Sequence, residues 1–238
     1  GSQPNFYNVT KGSAKPLIIN NTIYSMLNGS SCNVSEINMN VHCTGTHTEC
    51  VGHIIKNKIS VAECIDEIFF PTILLTVKPS LFYKCDDRYH VEVEKNENVI
   101  SKQMIKNNCK NLNNYKPLCI IIRTLPNPQK KQFFSYSNNT PPFFTNDAID
   151  FICKKNIHHL IVDIPSIDRM SDNGLLGNHH IFWKNKNNIS INKSSKKTIT
   201  ELAYIPNKIK DGFYFLNIEL PHFQIDAAPS RPILFPII

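Results

Sequence analysis

Apolar and polar residues alternate along the chain in short blocks, and this pattern predicts strands and helices in turn. Runs of β-branched and other apolar residues predict strands at 36–44, 73–77, 118–123, 159–162, 214–220 and 233–237. Apolar residues at helical spacing, or behind a helix start such as Thr145-Asn146-Asp147, predict helices at 61–69, 98–108 and 148–155. We therefore expect an α/β fold in a single domain that spans residues 1–238.

Two further segments lack a regular apolar pattern. Residues 126–142 are rich in Pro, Asn and Ser, which predicts a loop. Residues 184–197 are polar and rich in lysine, so we expect an exposed excursion from the fold.

The composition is that of an ordinary globular protein, with 41% apolar and 19% charged residues in 238. The chain has no run of about 18 apolar residues and no signal-like N-terminus, so we expect a cytoplasmic protein and no membrane partner. The net charge is +7, but the lysines are dispersed among many asparagines. This dispersion favours AT-rich codon usage over nucleic-acid binding as the source of the charge.

The eight cysteines are irregularly spaced and include no CxxC pair. Irregular spacing in a chain of this length favours reduced thiols over a disulfide framework. The missing CxxC pairs make a zinc ribbon an improbable source of any metal binding.

Residues 41–53 (VHCTGTHTECVGH) concentrate groups that bind metals. If this segment continues as a strand, Cys43, His47 and Glu49 point to one face, and Gly45 leaves room between them. Thiolate, imidazole and carboxylate together suit zinc best among the common divalent ions. The alternative is a strand whose histidines are hydrogen-bonded within the protein and whose glutamate lies at the surface. This alternative is favoured for any one of these residues alone, but not for four donor residues within eleven positions.

Three other donors in this segment have different expected positions. His42 and Cys50 fall on the opposite face of the same extended strand. His53 lies beyond a bend at Gly52, so its side chain could fold back over the metal ligands.

The motif GTHTECVGH resembles the signature H-x-G-T-H-x-D-x-P-x-H of the kynurenine formamidase and cyclase family of metal-dependent hydrolases. Thr46, His47 and His53 match that signature, and Glu49 stands where the family has Asp. Cys43 stands at the first metal-binding His, with His42 one position out of register. Further segments are similar to the family in the same order, at 139–152, 162–168, 178–181, 198–202 and 225–232.

The resemblance implies a divalent metal centre of one or two ions, with zinc as the first choice and manganese as the second. Cys43, His47 and Glu49 would hold the first ion. Glu49 would bridge to a second ion completed by His179, rather than His180, and by Glu201. The implied fold is the swivelling β/β/α type, a mixed sheet or partial barrel flanked by helices, and the implied assembly is a homodimer or higher homo-oligomer.

The function implied by the resemblance is hydrolysis of a small amide-like substrate, either an aryl formamide or a cyclic amide or imide. Metal-activated water would attack the carbonyl carbon, and His53 would carry the proton to the leaving nitrogen. An aryl group would need an apolar pocket, for which Trp183, Phe143, Phe144 and Phe82 are candidates.

Two alternatives belong to other functional classes. One is a metal-binding protein without catalysis, against which His53 argues because a pure binding site needs no extra base. The other is a thiol hydrolase in which Cys43 or Cys50 is the nucleophile.

Overall fold

The computed structural model describes residues 2–109, 116–184 and 190–237. These residues include three α-helices, which are α1 (Lys102–Asn108), α2 (Asn146–Lys154) and α3 (Gly177–Trp183). The strands are β1 (Ser13–Pro16), β2 (Ile18–Ile19), β3 (Thr22–Ile23), β4 (Ser35–Asn38), β5 (His47–Cys50), β6 (Phe70–Val77), β7 (Ser80–Leu81), β8 (Asn98–Ile100), β9 (Cys119–Thr124), β10 (Phe143–Phe144), β11 (His159–Val162), β12 (Thr198–Glu201), β13 (Gly212–Glu219), β14 (Ala227–Pro229) and β15 (Arg231–Pro236).

Eight of these strands form one mixed sheet in the order β14-β5-β12-β11-β9-β6-β13-β15. The four central strands, β12, β11, β9 and β6, are parallel to one another. On one side β5 is antiparallel to β12 and β14 is antiparallel to β5, and on the other side β13 and β15 are each antiparallel to the preceding strand of the sheet. The sheet curls into a half-barrel, which confirms the predicted α/β fold with a mixed sheet flanked by helices.

The central strand β9 is mostly apolar because both of its faces are buried. In β9, Ile120 and Ile122 face the core that contains the helices, whereas Cys119 and Ile121 face a second core on the opposite side of the sheet. This arrangement explains why residues 118–123 read as one continuous apolar run instead of an alternating one.

The helices form where a capping residue precedes an apolar stripe. The Thr145 hydroxyl accepts a hydrogen bond from the Ala148 amide at 3.2 Å and so caps the start of α2. Ala148, Ile149 and Ile152 of that helix are buried against the sheet.

Two predicted elements differ from the structure near the histidine-rich segment. The predicted strand at 36–44 exists only as β4, and a turn occupies residues 41–44. Asn40 causes this turn, because its side-chain oxygen accepts from the Cys43 amide at 3.0 Å and its carbonyl accepts from the Thr44 hydroxyl at 2.5 Å. The predicted helix at 61–69 is reduced to a 3₁₀ turn at Val61–Glu63.

Within the predicted lysine-rich excursion at 184–197, residues 185–189 lie outside the described residues. The described residues of this segment are held against the fold. Ile191 forms a bridge with Lys184 and packs against the core. Ser195 is buried, and the Trp183 indole donates a hydrogen bond to the Lys197 carbonyl at 2.9 Å. The described ends therefore pack against the fold, contrary to the expectation of a wholly exposed excursion.

No helix among the described residues is long and apolar enough to cross a membrane.

Residues 13–39 form an arm built from two small antiparallel ribbons, β1 with β4 and β2 with β3. All four residues of β1 and of β4 are exposed, so both faces of that ribbon are open to solvent. The arm nevertheless carries a concentration of exposed apolar side chains, namely Ile18, Ile19, Ile23, Met26, Leu27, Val34, Ile37 and Met39. Exposed apolar clusters of this kind mark interaction surfaces.

We propose that a second copy of the chain covers this arm, in line with the homo-oligomer that the resemblance implies. Burying one such side chain fully contributes about 1.5–3 kcal/mol, so eight of them can offset the cost of association. Light scattering coupled to size exclusion should show a dimer or larger assembly, and Leu27→Ser with Ile37→Ser should shift it towards monomer. A monomeric wild-type protein would exclude the proposal.

Candidate metal centre

Strands β5 and β12 bring three buried ligand candidates together. His47 and Glu49 lie two residues apart on β5 and so share one face. The antiparallel register places Glu201 of β12 directly opposite His47. Side chains directly opposite on neighbouring strands have Cβ atoms about 4.5–5.5 Å apart, so these groups converge on one point.

His47 presents a free ring nitrogen to this point. Its Nδ1 is 3.0 Å from the Gly45 carbonyl oxygen and donates to it, which leaves Nε2 with the lone pair. Nε2 is buried without a hydrogen-bond partner and lies 3.7 Å from Glu201 Oε2. Burial lowers the pKa of His47 to about 4, so the ring is neutral and is a competent metal ligand.

Glu49 is surrounded by imidazoles although it is almost fully buried. Its Oε1 lies 3.0 Å from His179 Nε2, and its Oε2 lies 3.1 Å from His42 Nδ1. Oε2 nevertheless has no hydrogen-bond partner, so the second pair is close but is not aligned as a hydrogen bond. Burial alone would raise the pKa of Glu49, but His53 and His179 hold it well below its usual value.

His179 is oriented by a buried aspartate. The Asp168 carboxylate lies 2.6 Å from His179 Nδ1 and also accepts from the backbone amides of Asn178 and His179. This hydrogen bond directs Nε2 towards Glu49, the arrangement that commonly orients a metal-binding histidine. Burial alone would lower the pKa of His179, but Glu49 and Asp168 raise it well above its usual value. The neighbouring His180 is exposed.

Glu201 completes the cluster from the adjacent strand. Its Oε1 accepts a hydrogen bond from the Ile167 amide at 2.9 Å and lies 3.8 Å from His179 Nε2. Burial and the nearby charge of Glu49 raise the pKa of Glu201 to about 8. Two carboxylates this close resist ionising together, and a cation between them would favour the ionised form of both.

The backbone beside the ligands is held in an unusual conformation. Leu202, which follows Glu201, has φ 55°, and Leu176, which precedes α3 and its His179, has φ 47°. A left-handed backbone is rare for leucine and persists only where the surrounding structure imposes it. The Thr46 hydroxyl donates to the Leu202 carbonyl at 2.7 Å and so links the two ligand strands.

His53 and His42 approach Glu49 from the solvent side, and one carboxylate contacts both of them. His53 lies on the 3₁₀ turn Val51–Ile54, with Nε2 3.9 Å from Glu49 Oε2. Asp226 Oδ2 is 3.2 Å from His53 Nδ1 and 3.0 Å from His42 Nε2. Burial alone would lower the pKa of His42, but Asp226 and Glu49 raise it to about 10.

Cys43 does not occupy the position that was expected for it. The strand that would have placed it beside His47 begins only at His47, so the assumed shared face does not exist. The Cys43 side chain packs instead with Phe6, Tyr136 and Leu202. It belongs to none of the three ligand groups that the described residues form.

Those described residues include two groups able to hold a cation near β5, which are His47 with Glu49 and Glu201, and His42 with Glu49 and His53. In each group the ligand atoms lie within 4.8 Å of one another, and Glu49 belongs to both. The unpartnered atoms His47 Nε2 and Glu49 Oε2 are each explained by a bound divalent cation. Of the implied ligands, His47, Glu49 and Glu201 can therefore hold a divalent cation together.

Asp168 and Asp226 were not identified as site residues from the sequence. Both lie inside segments that resemble the family, but an aspartate beside a proline-containing loop is ordinary, and neither is near a ligand in the chain. The aromatic candidates Trp183 and Phe144 proved to be fully buried core residues, although the Trp183 ring centroid lies 5.6 Å from that of His179.

Comparison with known proteins identifies the family of this chain. Residues 3–169, more than half of the chain, match the family described as "Putative cyclase". The chain belongs to this cyclase family. A kynurenine formamidase from Bacillus thuringiensis subsp. konkukian is 23% identical over 219 residues, which are 90% of this chain and 85% of that protein.

Solved structures share the fold of this cyclase-family chain. A predicted metal-dependent hydrolase from Bacillus stearothermophilus superposes with a TM-score of 0.61 at 18% identity, covering 98% of this chain and 91% of that one. Isatin hydrolase A from Labrenzia aggregata gives a TM-score of 0.58 at 13% identity, covering 93% and 81%. At these identities the similarity establishes the fold.

Asp168→Asn should weaken metal binding, because a neutral amide accepts the Nδ1 hydrogen bond of His179 more weakly than a carboxylate and can also donate to Nδ1, which turns the lone pair away from the site. Loss of such an orienting partner typically lowers metal affinity or activity by about 10–100-fold. The affinity is measured by competition with a chromogenic chelator. Asp172→Asn is the matched control, since that buried aspartate accepts from the Gly174 and Leu176 amides and not from His179. Equal affinity in the two variants would contradict the orienting role.

Proposed function

We propose that this protein is a metal-dependent hydrolase of a small amide-like substrate. The observation that carries the proposal is the pair of buried, unpartnered atoms His47 Nε2 and Glu49 Oε2 beside a second carboxylate. A buried polar atom without a partner costs about 1–3 kcal/mol, and a divalent cation bound here would remove that cost.

The residues that would hold the ion are His47, Glu49, Glu201 and His179. Glu49 has one oxygen facing His179 and the other facing His42, so it is suited to bridge two ions. Imidazole and carboxylate donors suit zinc and also accept manganese, so we propose zinc with manganese as the second choice.

When bound, the ion would act as a Lewis acid that polarises a carbonyl group and lowers the pKa of a water molecule to about 7. The protein supplies the proton transfer. Asp226 accepts a hydrogen bond from His53 Nδ1 at 3.2 Å, which leaves Nε2 directed towards the site. From there His53 takes the proton of the attacking water and returns it to the leaving nitrogen.

The proposed substrate is an aryl formamide or a cyclic aryl amide or imide. Relatives with this fold include proteins named kynurenine formamidase and isatin hydrolase. Phe6 and Tyr136 pack against Leu202, the residue after Glu201, and both are buried core residues. Tyr7, whose ring lies 4.0 Å from that of Phe6, is half exposed and is the aromatic side chain open to a substrate at this edge.

The thiol hydrolase is disfavoured by the state of the two cysteines concerned. Burial and the charge of Glu201 raise the pKa of the Cys43 thiol. A hydrogen bond with Cys64, together with burial, raises the pKa of the Cys50 thiol. A nucleophilic cysteine needs the opposite shift.

Removal of either side chain that faces the proposed ion should lower metal content. His47→Ala and Glu201→Gln should each lose most of the bound ion, because each removes a ligand from a buried site. Elemental analysis after dialysis measures this, and Glu219→Gln, at an exposed glutamate on β13, is the control. Full metal content in both variants would exclude this ligand set.

His53→Ala should keep the metal and lose about 10²–10⁴-fold in turnover, the range expected for a general acid–base group. Turnover is measured with an N-formylated aryl amine and with a cyclic aryl imide, before and after treatment with a chelator. His180→Ala, at an exposed histidine of α3, is the control. Metal-loaded wild-type protein that hydrolyses neither substrate would contradict the proposed function, and near-normal turnover of His53→Ala would contradict the role of His53.

A further inference from the structure

The chain differs from its family at the first metal-binding position, where Cys43 stands in place of a histidine, and the structure shows which residue compensates. We propose that His42 supplies a metal ligand in place of Cys43, and that Asp226 is the positioning residue that holds both His42 and His53 against Glu49. This inference rests on the proposed metal-dependent function and adds the identity of one ligand and its support.

Strand pairing in the sheet places Asp226 beside Glu49. It immediately precedes β14, whose first residue Ala227 pairs with Glu49. The Asp226 carbonyl accepts a hydrogen bond from the Cys50 amide at 3.0 Å. The position of the carboxylate is therefore set by backbone pairing and is independent of the two histidines that it contacts.

The turn that carries His53 is built to approach this carboxylate. A Cβ atom added to Gly52 would lie 2.8 Å from the Ile59 carbonyl oxygen and 3.2 Å from Asp226 Cβ. Only glycine permits this close approach, because real Cβ atoms do not come within 3.0 Å of another heavy atom at such a position. The contact between His53 and Asp226 thus depends on Gly52.

The hydrogen bonds of Asp226 determine which nitrogen of each ring faces the site. A carboxylate only accepts, so His42 donates from Nε2 and His53 from Nδ1. In the neutral His42 ring, Nδ1 then carries the lone pair and lies 3.1 Å from Glu49 Oε2. That oxygen is buried, and a cation held between the two atoms would take the place of the proton that otherwise lies between them.

The separation fits two ligands of one ion. Ligand atoms about 2.0–2.2 Å from a divalent ion, as in zinc sites, are roughly 2.8–3.1 Å apart in octahedral and roughly 3.3–3.6 Å apart in tetrahedral arrangements, which gives a combined range of about 2.8–3.6 Å. The 3.1 Å between His42 Nδ1 and Glu49 Oε2 falls in this range. Cys43, by contrast, has its side chain in the apolar cluster with Phe6 and Tyr136.

A purely structural alternative is that the carboxylate only fastens β14 to the two histidine-bearing turns. In that case Asp226→Asn would lower the free energy of unfolding and leave the intrinsic metal affinity of the folded protein unchanged. Metal affinity and the spectrum of a bound ion therefore distinguish the two roles, and neither readout depends on hydrolysis.

The experiment uses Co²⁺ as a spectroscopic probe and Zn²⁺ for affinity, with the full chain throughout. Wild-type protein loaded with Co²⁺ should lack the near-ultraviolet charge-transfer band that a thiolate ligand produces. Zn²⁺ affinity, measured by chelator competition, should fall at least about 10-fold in His42→Ala and about 10–100-fold in Asp226→Asn. Cys43→Ala should bind Zn²⁺ as tightly as wild type, with circular dichroism as a check on folding.

A cobalt–thiolate band in wild type that disappears in Cys43→Ala would overturn the inference, and so would unchanged Zn²⁺ affinity in His42→Ala. The wild-type spectrum decides the matter even if a variant does not fold. Failure of the proposed function has a different signature, because metal binding through His42 would persist while no amide substrate is hydrolysed.

Discussion

Burial of two carboxylates at the same point, Glu49 of β5 and Glu201 of β12, is the constraint on which the rest of the site depends. An ionised carboxylate removed from water is stable only beside positive charge or donated hydrogen bonds. Around Glu49 that charge is supplied by imidazoles, since Glu49 and Asp168 raise the pKa of His179. A metal ion can replace those protons, which links the stability of this region to its chemistry.

The sheet provides the rigidity that this constraint needs. Antiparallel pairing of β5 with β12 sets Glu201 opposite His47, and pairing of β5 with β14 sets Ala227 opposite Glu49. The ligands His47, Glu49 and Glu201 thus come from strands fixed by backbone hydrogen bonds. On the β5–β12 interface, the Thr48 and Thr200 hydroxyls lie 2.7 Å apart and add a buried cross-strand hydrogen bond.

Much of the fold and part of the site could be predicted from the sequence. Apolar runs such as 118–123 and 159–162 indicate buried strands, and the GTH motif indicates a metal-binding histidine. The first ligand position was not accessible. Alternation of faces applies only within a strand, and Asn40 turns the chain before Cys43 by accepting its amide. The support from Asp226 was also hidden, since a residue far away in the chain is placed beside His53 only by strand pairing. Asn40 and Asp226 therefore determine how His42 is positioned against Glu49.

The most direct test of the central claim is a crystal structure of the zinc-loaded protein, with the ion located by its anomalous scattering. The account predicts an ion bonded to Glu49 and His47 Nε2 at about 2.0–2.2 Å. An ion found only at the surface would contradict it. So would Glu49 and Glu201 sharing a proton in protein saturated with zinc.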